Sequence, residues 1–230
     1  MTRTYRWARR AVWGTLAVIF TVGCNPLTTI AFLTHKEVKV PAKVPLEFGE
    51  DERKEKEEVK VALFVSQGTG QSFEFAGADS ALAGEIAKVL PEMAKENKQK
   101  IVVLPPSEIN RFKMKNPQWK LMHAADRGKR LGADFVVVAH LDKMSLFQPG
   151  SQNSFYEGRA DVTVDTYRVD EGETEPRTYT HAFAYPKTGF RDASSKPVSA
   201  FRREFIENLA VELARYHVEH KPSSGIAESR

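Results

Sequence analysis

Six histidines are the side chains of this sequence best suited to acid–base or metal chemistry. None of them lies in an H-x-H or H-E-x-x-H pattern, and a single cysteine, Cys24, excludes a cysteine-rich zinc site. His217 and His220 lie three residues apart near the end of a predicted helix and could share a metal ion. A solvated helix end, where the helix dipole favours positive charge, explains the pair better. We therefore expect no metal site and no cofactor.

Serines and carboxylates give no local signature of hydrolysis. The sequence has no G-x-S-x-G motif, and no activating partner lies near Ser66 in sequence. Asp161 and Asp165 share one face of a predicted strand, but four residues along a strand span about 13 Å, more than paired glycosidase carboxylates use. We expect these acids to form the wet face of a sheet. His140 could meet Asp142 and Asp161 across neighbouring strands, which we interpret as a satisfied polar contact.

A glycine-containing loop, VSQGTGQSF at residues 65–73, follows the first predicted strand. It lacks the third glycine of G-x-G-x-x-G and the Gly-Lys-Ser/Thr of a Walker loop. The next predicted helix begins about eight residues later, too far for its N-terminus to meet a phosphate at those glycines. We interpret the segment as a flexible connection. It would contribute to catalysis only if a hydrolase site were assembled from distant loops, with residues 145–156 as the other contributor.

An aromatic stripe with a period of two runs along residues 179–185. Its members are Tyr179, His181, Phe183 and Tyr185, and the alternate positions carry Thr180, Ala182 and Ala184. On a strand all four rings point to one face. They could stack sugars or bases or receive a partner, so they are candidate partner-binding residues. Packing of such a stripe against a helix is the more common arrangement.

The net charge of +4 suggests a nucleic-acid partner at first, but the excess lies at the start of the chain. Four arginines and no acidic residue precede Cys24. Without residues 1–23 the chain has 30 Lys and Arg against 30 Asp and Glu. Such a neutral chain lacks the general basic footprint of a nucleic-acid-binding protein, so we expect no nucleic-acid partner.

A short apolar run, AVWGTLAVIFTV at residues 11–22, follows the four arginines. Its length suits a signal peptide, since a spanning helix needs about 20 apolar residues. TVGC at residues 21–24 resembles the lipobox of bacterial lipoprotein signals, in which the cysteine carries lipid. One alternative is an uncleaved anchor continuing through LTTIAFL, which the Asn-Pro pair after Cys24 would interrupt; plain secretion is the other. We expect a lipid-anchored protein of the cell envelope, on a membrane facing the periplasm.

The rest of the sequence predicts a tether and one α/β domain. Residues 24–56 hold two prolines in their second half and most of the charge run EFGEDERKEKEEVK, which favours a flexible linker. Residues 57–220 show alternating apolar positions and apolar stripes that predict the order β-α-β-α-β-β-β-α. The last hairpin must be antiparallel, so we expect an α/β (α+β) sandwich with a mixed sheet. The polar tail, residues 221–230, is expected to be loose.

Three local expectations can be compared with the fold. Pro91 should end or kink the first helix, although it could also open a second turn. Residues 118–131 should be helical, and Gly132 is a natural C-terminal stop. The segment DFVVVAHL is apolar on both faces, which predicts a strand in the centre of the sheet.

Residues 100–144 resemble the periplasmic α/β domain of curli-secretion-channel-like (CsgG-like) lipoproteins, whose shape the activator lipoproteins of penicillin-binding proteins share. The resemblance rests on the order strand, Pro/Ser-led helix, helix and strand, and on the stretch GADFVVVAHL with its flank. It implies an envelope lipoprotein without catalytic residues that binds or assembles other proteins. A membrane barrel needs strands of about 9–11 residues with an apolar outer face. The last hairpin has a polar face, which argues against a pore.

We therefore expect a membrane-anchored envelope lipoprotein that is not an enzyme and acts as a protein-binding or assembly module. Its partners would be the membrane, through lipid on Cys24, and an envelope protein or cell-wall component, with a homo-oligomer as a further arrangement. Two alternatives remain open. One is a subunit of an oligomeric export channel of the curli-secretion type, and the other is a hydrolase with a site assembled from loops.

Overall fold

The structure is a computed structural model that describes residues 39–48, 58–68, 75–172 and 174–222. Every described residue belongs to one compact unit of the chain, Lys39–Arg230. The predicted signal peptide, Cys24 and most of the predicted tail lie outside the described residues. Over the described ranges no helix is long and apolar enough to cross a bilayer.

A six-stranded mixed sheet forms the centre of the fold. Its strands are β1 (Val59–Gln67), β2 (Ile101–Val103), β3 (Phe135–Phe147), β4 (Phe155–Arg168), β5 (Arg177–Tyr185) and β6 (Arg191–Asp192). The order across the sheet is β2-β1-β3-β4-β5, and β6 pairs with the start of β4. β1 is parallel to β2 and β3, whereas β3, β4 and β5 run antiparallel in succession. The predicted α/β fold with a mixed sheet is confirmed.

Four α-helices pack on the two faces of this sheet. They are α1 (Ala78–Glu96), α2 (Pro106–Lys115), α3 (Ala124–Leu131) and α4 (Val198–Arg215). α1 and α4 pack against each other and against one face, which we call the covered face. α2 and α3 pack over part of the opposite face, which we call the open face. On the open face no β5 residue belongs to the cluster beneath α2 and α3.

Strand alternation explains why the two faces differ. On the covered face, alternate residues of β1, β3 and β4 are aliphatic and buried, and the α4 residues Phe201, Phe205 and Leu209 fill the space above them at 0% exposure. On the open face, Ala62 and Phe64 of β1 are buried beneath α2 and α3. The apolar pattern stops there, because the next open-face residue of β1 is Ser66. β1 and β3 are therefore the buried central strands, as the apolar run in β3 predicts.

Residues 39–48, which the sequence predicts as part of a flexible tether, pack on the domain. We call this segment the N-terminal strap. Its Leu46 and Phe48 are buried in the covered-face core at 1% and 7% exposure, and Val44 is also buried, at 8%. Val40 forms an antiparallel bridge with His220, and the Val44 N–H donates to the Tyr216 carbonyl at 2.9 Å. The buried side chains are the alternating apolar residues of VPLEF. The charge run that follows dominates the composition of this part of the sequence, so the short apolar pattern was not recognised.

Two helix boundaries also differ from the expectations. α1 continues through Pro91 to Glu96, although a proline there removes one backbone hydrogen bond. The buried stripe continues past it with Leu90 and Ala94, so packing outweighs that loss. The segment predicted as one helix over residues 118–131 is a 3-10 turn, Trp119–Leu121, followed by α3. Gly132 ends α3 in the left-handed conformation at φ 64°, as expected.

Candidate functional site

The open face carries a row of polar side chains beyond the edge of α2 and α3. Ser66 near the end of β1 lies opposite His140 of β3 in the parallel register, and Asp165 lies on the adjacent β4. Strand alternation places all three on the same side as Ala62 and Phe64. Further along the same face, β5 presents the exposed residues Thr178 and Thr180. The candidate site is therefore a strip of polar groups across four strands.

Ser66, His140 and Asp165 lie in the order of a hydrolytic triad. Ser66 Oγ is 2.7 Å from His140 Nδ1, and His140 Nε2 is 3.9 Å from Asp165 Oδ2. An imidazole placed this way can take a proton from a hydroxyl, which is the first step of serine activation. The separation of 3.9 Å is too long for a hydrogen bond, so Asp165 does not fix the ring orientation.

The surroundings of the row differ from those of an enclosed catalytic centre. The His140 side chain is 45% exposed and that of Asp165 is 20% exposed. Preorganised dipoles stabilise developing charge most strongly where water is excluded, and a half-exposed imidazole on a flat sheet lacks that protection. Thr178 donates from Oγ1 to Asp165 Oδ1 at 2.6 Å, which satisfies one carboxylate oxygen. The row can accept and donate hydrogen bonds to a partner laid across it.

The sequence placed some of these residues correctly and missed the central contact. Asp161 and Asp165 lie on the wet face, as expected, and His140 does meet polar groups of neighbouring strands. The described contacts of His140 are with Ser66 and Asp165 instead of the possible partners Asp142 and Asp161, and Asp142 accepts from Thr163 Oγ1 at 2.7 Å. The contact of His140 with Ser66 was missed because 74 residues separate them and only the β1–β3 register brings them together.

The four rings of the predicted aromatic stripe lie beneath α4 and the residues that follow it. Tyr179 stacks on Tyr216 at 4.0 Å between ring centroids, and His181 Nδ1 is 3.0 Å from the Tyr216 hydroxyl. Phe183 packs on Phe205, and Tyr185 packs on Phe201. Phe183 and Tyr185 are buried, and burial lowers the pKa of His181 and raises that of Tyr179. Partner binding by this face of β5 is not supported, because α4 occupies it.

His217 is a buried residue and not the solvated helix end that its position predicts. It is 3% exposed, and its Nδ1 lies 2.9 Å from the Val44 carbonyl of the strap. Its Nε2 lies 3.3 Å from the Tyr179 hydroxyl. A neutral ring that donates from Nδ1 and accepts at Nε2 satisfies both partners, and burial lowers its pKa to about 4. His217 therefore joins the strap, β5 and the end of α4.

The outer edge of β5 is a second feature of the open-face side. β5 pairs with β4 along its whole length, from Arg177 to Tyr185, and with no other described strand. Natural edge strands are commonly guarded by charged side chains, proline or a bulge. β5 begins at the exposed Arg177 and is followed by Pro186 and Lys187, but its stretch from Thr178 to Tyr185 contains no proline, Asp, Glu, Lys or Arg. The edge is thus a template for pairing with another chain.

Two further site predictions concern Cys24 and metal binding. Cys24, the predicted lipid-attachment residue, is not among the described residues. Among those that are, no group of three or more His, Cys, Asp or Glu side chains is placed to hold a metal ion.

No family model and no curated protein matches this chain. Solved structures that match this chain include the PelC dodecamer from Paraburkholderia phytofirmans, at 11% identity and a TM-score of 0.41, with 79% of this chain and 99% of that one covered. Lipoprotein GNA1162 from Neisseria meningitidis matches at 7% identity and a TM-score of 0.37, covering 68% and 98% of the two chains. A minor lipoprotein from Acinetobacter baumannii matches at 15% identity and a TM-score of 0.27, covering 68% and 89%.

Two of these matching structures are named as lipoproteins. The curli-secretion and penicillin-binding-protein-activator families are not among those named, so the finer resemblance stays a prediction. Identity and superposition at these levels assign no activity or partner to this chain.

Proposed function

We propose that this chain is an envelope lipoprotein, held by lipid on Cys24 to a membrane facing the periplasm, whose α/β domain is a non-catalytic protein-binding or assembly module. The observation that carries the binding role is the free edge of β5, which has no charge or proline from Thr178 to Tyr185, beside the polar strip of the open face. The observation that supports the location is the sequence TVGC after a basic and apolar leader.

A free edge strand binds another chain through backbone hydrogen bonds, and neighbouring side chains select the partner. β5 has nine residues, long enough to pair with a complete strand. Phe183 and Tyr185 pack its inner face on α4, and Tyr179 stacks on Tyr216 just after that helix, so the edge belongs to a strand that is already ordered. A preorganised edge loses little conformational entropy on binding. The partner would be an envelope protein, a protein bound to the cell wall, or a second copy of this chain.

The test places positive charge on the outer side of β5. Thr180→Lys with Ala182→Lys adds two charges at exposed positions of the edge strand, where lysine prevents strand pairing. Ala81→Lys with Ser199→Lys adds the same charge at exposed positions of α1 and α4 and is the matched control. The measurement is the native mass of the full-length gene product extracted in detergent, together with its co-purified proteins.

We expect an assembly or a bound protein that the β5 variant loses and the control retains. The same spectrum determines whether the mature chain begins at Cys24 and carries a diacylglycerol group. A monomer without any partner, unchanged by either variant, would contradict the binding role without bearing on the lipid. A large ring that the β5 variant dissolves would favour the export-channel form of this proposal.

A hydrolase is the second candidate, favoured by the contact of 2.7 Å between Ser66 Oγ and His140 Nδ1. Its test is a panel of ester, glycoside and phosphate substrates with the full-length chain and a Ser66→Ala variant. Loss of a measurable activity in that variant, with Ser194→Ala as an exposed control, would support a hydrolase. We expect no hydrolysis above background, because His140 is open to water and Asp165 does not hold it.

A further inference from the structure

The layer formed by α2, α3 and the turn between them is strongly basic. Residues 105–133 contain seven basic residues and two acidic ones. The basic residues are Arg111, Lys113, Lys115, Lys120, Arg127, Lys129 and Arg130. Arg111, Lys115 and Lys120 are exposed and form no ion pair with a described acidic residue. Since the chain is neutral beyond residue 23, this layer is a local concentration of positive charge.

Three of these cations surround a single indole ring. Lys113 Nζ lies 4.9 Å, Lys120 Nζ 5.8 Å and the Arg127 guanidinium carbon 5.7 Å from the centre of Trp119. Burial lowers the pKa of Lys113, and the charges of Lys120 and Arg127 lower it further, against an opposing effect of Asp79. Arg127 is 9% exposed, and its Nε has no described hydrogen-bond acceptor. Clustered cations with an unsatisfied buried donor are placed to receive an anion.

Two large apolar side chains project from the same layer into solvent. Met114 is 82% exposed and Leu121 is 85% exposed, the highest values among the exposed large hydrophobic residues of the described chain. Each has lysine as a sequence neighbour: Met114 lies between Lys113 and Lys115, and Leu121 follows Lys120. Exposed apolar side chains among lysines, beside a tryptophan, are the composition of surfaces that lie in the membrane interface.

We propose that the α2–α3 layer docks on an anionic phospholipid bilayer, with lipid phosphates at the cations around Trp119 and with Met114 and Leu121 entering the headgroup boundary. Charge complementarity selects this occupant, because a bilayer offers both dense phosphate and an apolar layer within one side chain's length. A basic surface beside a lipid anchor attracts anionic headgroups, so this layer would orient the domain on the membrane that holds Cys24. The inference rests on the proposed membrane location and is independent of the β5 edge.

Docking on this layer also sets the orientation of the domain. The open face would lie near the bilayer on the β1 and β3 side, while β5, which α2 and α3 do not cover, would remain accessible at the other side of the sheet. The α1–α4 layer, with seven acidic against five basic residues, would face away from the anionic surface. Attraction of the basic α2–α3 layer and repulsion of the acidic α1–α4 layer therefore favour the same orientation.

The experiment measures which face of the full-length chain contacts lipid. With Cys24→Ser as background, an environment-sensitive thiol probe is attached after Leu121→Cys or, as a positional control on α4, after Ser199→Cys. The chain is reconstituted into vesicles of phosphatidylcholine alone and of an equimolar mixture with phosphatidylglycerol. We expect a blue shift of the probe at position 121 in the anionic vesicles only, reversed by high salt, and no shift at position 199.

Charge reversal distinguishes binding through the α2–α3 layer from an effect of the net charge of the domain. Lys115→Glu with Lys120→Glu should reduce the partition coefficient onto anionic vesicles by at least about 30-fold, because each lysine near an anionic surface contributes about 1 kcal/mol and each glutamate adds repulsion. Lys88→Glu with Lys95→Glu makes the same charge change at exposed lysines of α1 and should have little effect.

Three results would overturn the proposal. Equal probe spectra in both kinds of vesicle would show that binding does not depend on anionic lipid. Equal losses of vesicle binding in the two charge-reversal variants would show that the α2–α3 layer is not the surface that contacts lipid. The third result is release of the chain from the vesicles by inorganic phosphate at an ionic strength at which chloride does not release it. That result would mean that the cations around Trp119 bind a soluble anion and not the bilayer. Loss of lipidation would alter none of these outcomes, since Cys24→Ser is present throughout.

Discussion

The two helical layers on opposite faces of the sheet differ in what they leave for other molecules. α4 buries seven of its 18 residues, including two phenylalanines, and α1 buries five of its 19. α2 buries two of its 10 residues, and it and the following turn expose Met114 and Leu121. The α1–α4 layer covers its face, whereas the α2–α3 layer leaves the polar strip and the β5 half of the open face uncovered.

This difference divides the domain into a stabilising side and a binding side. The large covered-face core holds β5, the strap and α4 together through aromatic contacts and the bonds of His217. That core can support a sheet whose other face is only partly covered. The open face can therefore carry polar and charged groups that a domain of this size would otherwise bury at a high cost in desolvation.

The largest effect should come from the core beneath α4. Phe201→Ala removes a ring that is 0% exposed and stacks on Tyr156 at 4.4 Å, so we expect a loss of about 3–5 kcal/mol in the free energy of unfolding. Phe112→Ala in the smaller cluster should lose less, because Phe112 has 6% exposure and a neighbouring layer that can collapse onto the space. Urea unfolding of both variants measures the difference, and equal losses would contradict the division into two sides.

Acid should weaken the attachment of the strap to the covered side. Burial lowers the pKa of His217 to about 4 from an ordinary value of 6.5, so the unfolded chain binds the proton more tightly than the folded one. Stability is then complete above pH 6.5 and is lost as the pH falls to about 4, by about 3 kcal/mol for a shift of this size.

His217→Gln is the control for this titration. Its amide can donate to the Val44 carbonyl and accept from the Tyr179 hydroxyl without changing charge. Unfolding free energies measured by urea between pH 7 and pH 4 should fall steeply for the native chain and less for the variant; equal slopes in the two would exclude His217 as the titrating group.

Two glycines should respond to the same substitution with opposite signs. A Cβ at Gly128 of α3 would meet the methyl groups of Val169 at 2.3 Å and Val136 at 2.7 Å, so Gly128→Ala should cost about 1–2 kcal/mol. A Cβ at Gly84 of α1 meets nothing within 4 Å, so Gly84→Ala should add about 0.5–1 kcal/mol through helix propensity. Thermal unfolding measures the change in stability of both variants. An unchanged stability of Gly128→Ala would mean that α3 packs less closely on the sheet than the structure shows.

The fold was largely predictable because local patterns determine it. The alternating run in β1, the stripe of α1 and the two-sided apolar run of β3 each specify one element, and the hairpin of β4 and β5 fixes the mixed sheet. The strap was missed because three buried side chains adjoin a dense charge run, which dominates the composition of that window. His217 was misplaced because a polar residue at a helix end is usually solvated, and its buried partners lie 38 and 173 residues away.

The candidate site was less predictable because it depends on register and coverage. Whether Ser66 meets His140 follows from the pairing of β1 with β3, which no local pattern specifies. The aromatic stripe of β5 was recognised as a unit, and its alternative use as packing could be decided only by the position of α4. The free edge of β5 likewise appears only when the strand order is known.

The most direct test of the central claim is site-specific photo-crosslinking of the full-length chain in intact cells. A photoreactive amino acid at position 180, on the exposed side of β5, is compared with one at position 199 on α4. The account predicts an adduct of defined mass at position 180, with an envelope protein or a second copy, that Ala182→Lys abolishes and that position 199 does not form. Adducts of equal yield at both positions, or adducts at 199 alone, would contradict recognition through β5.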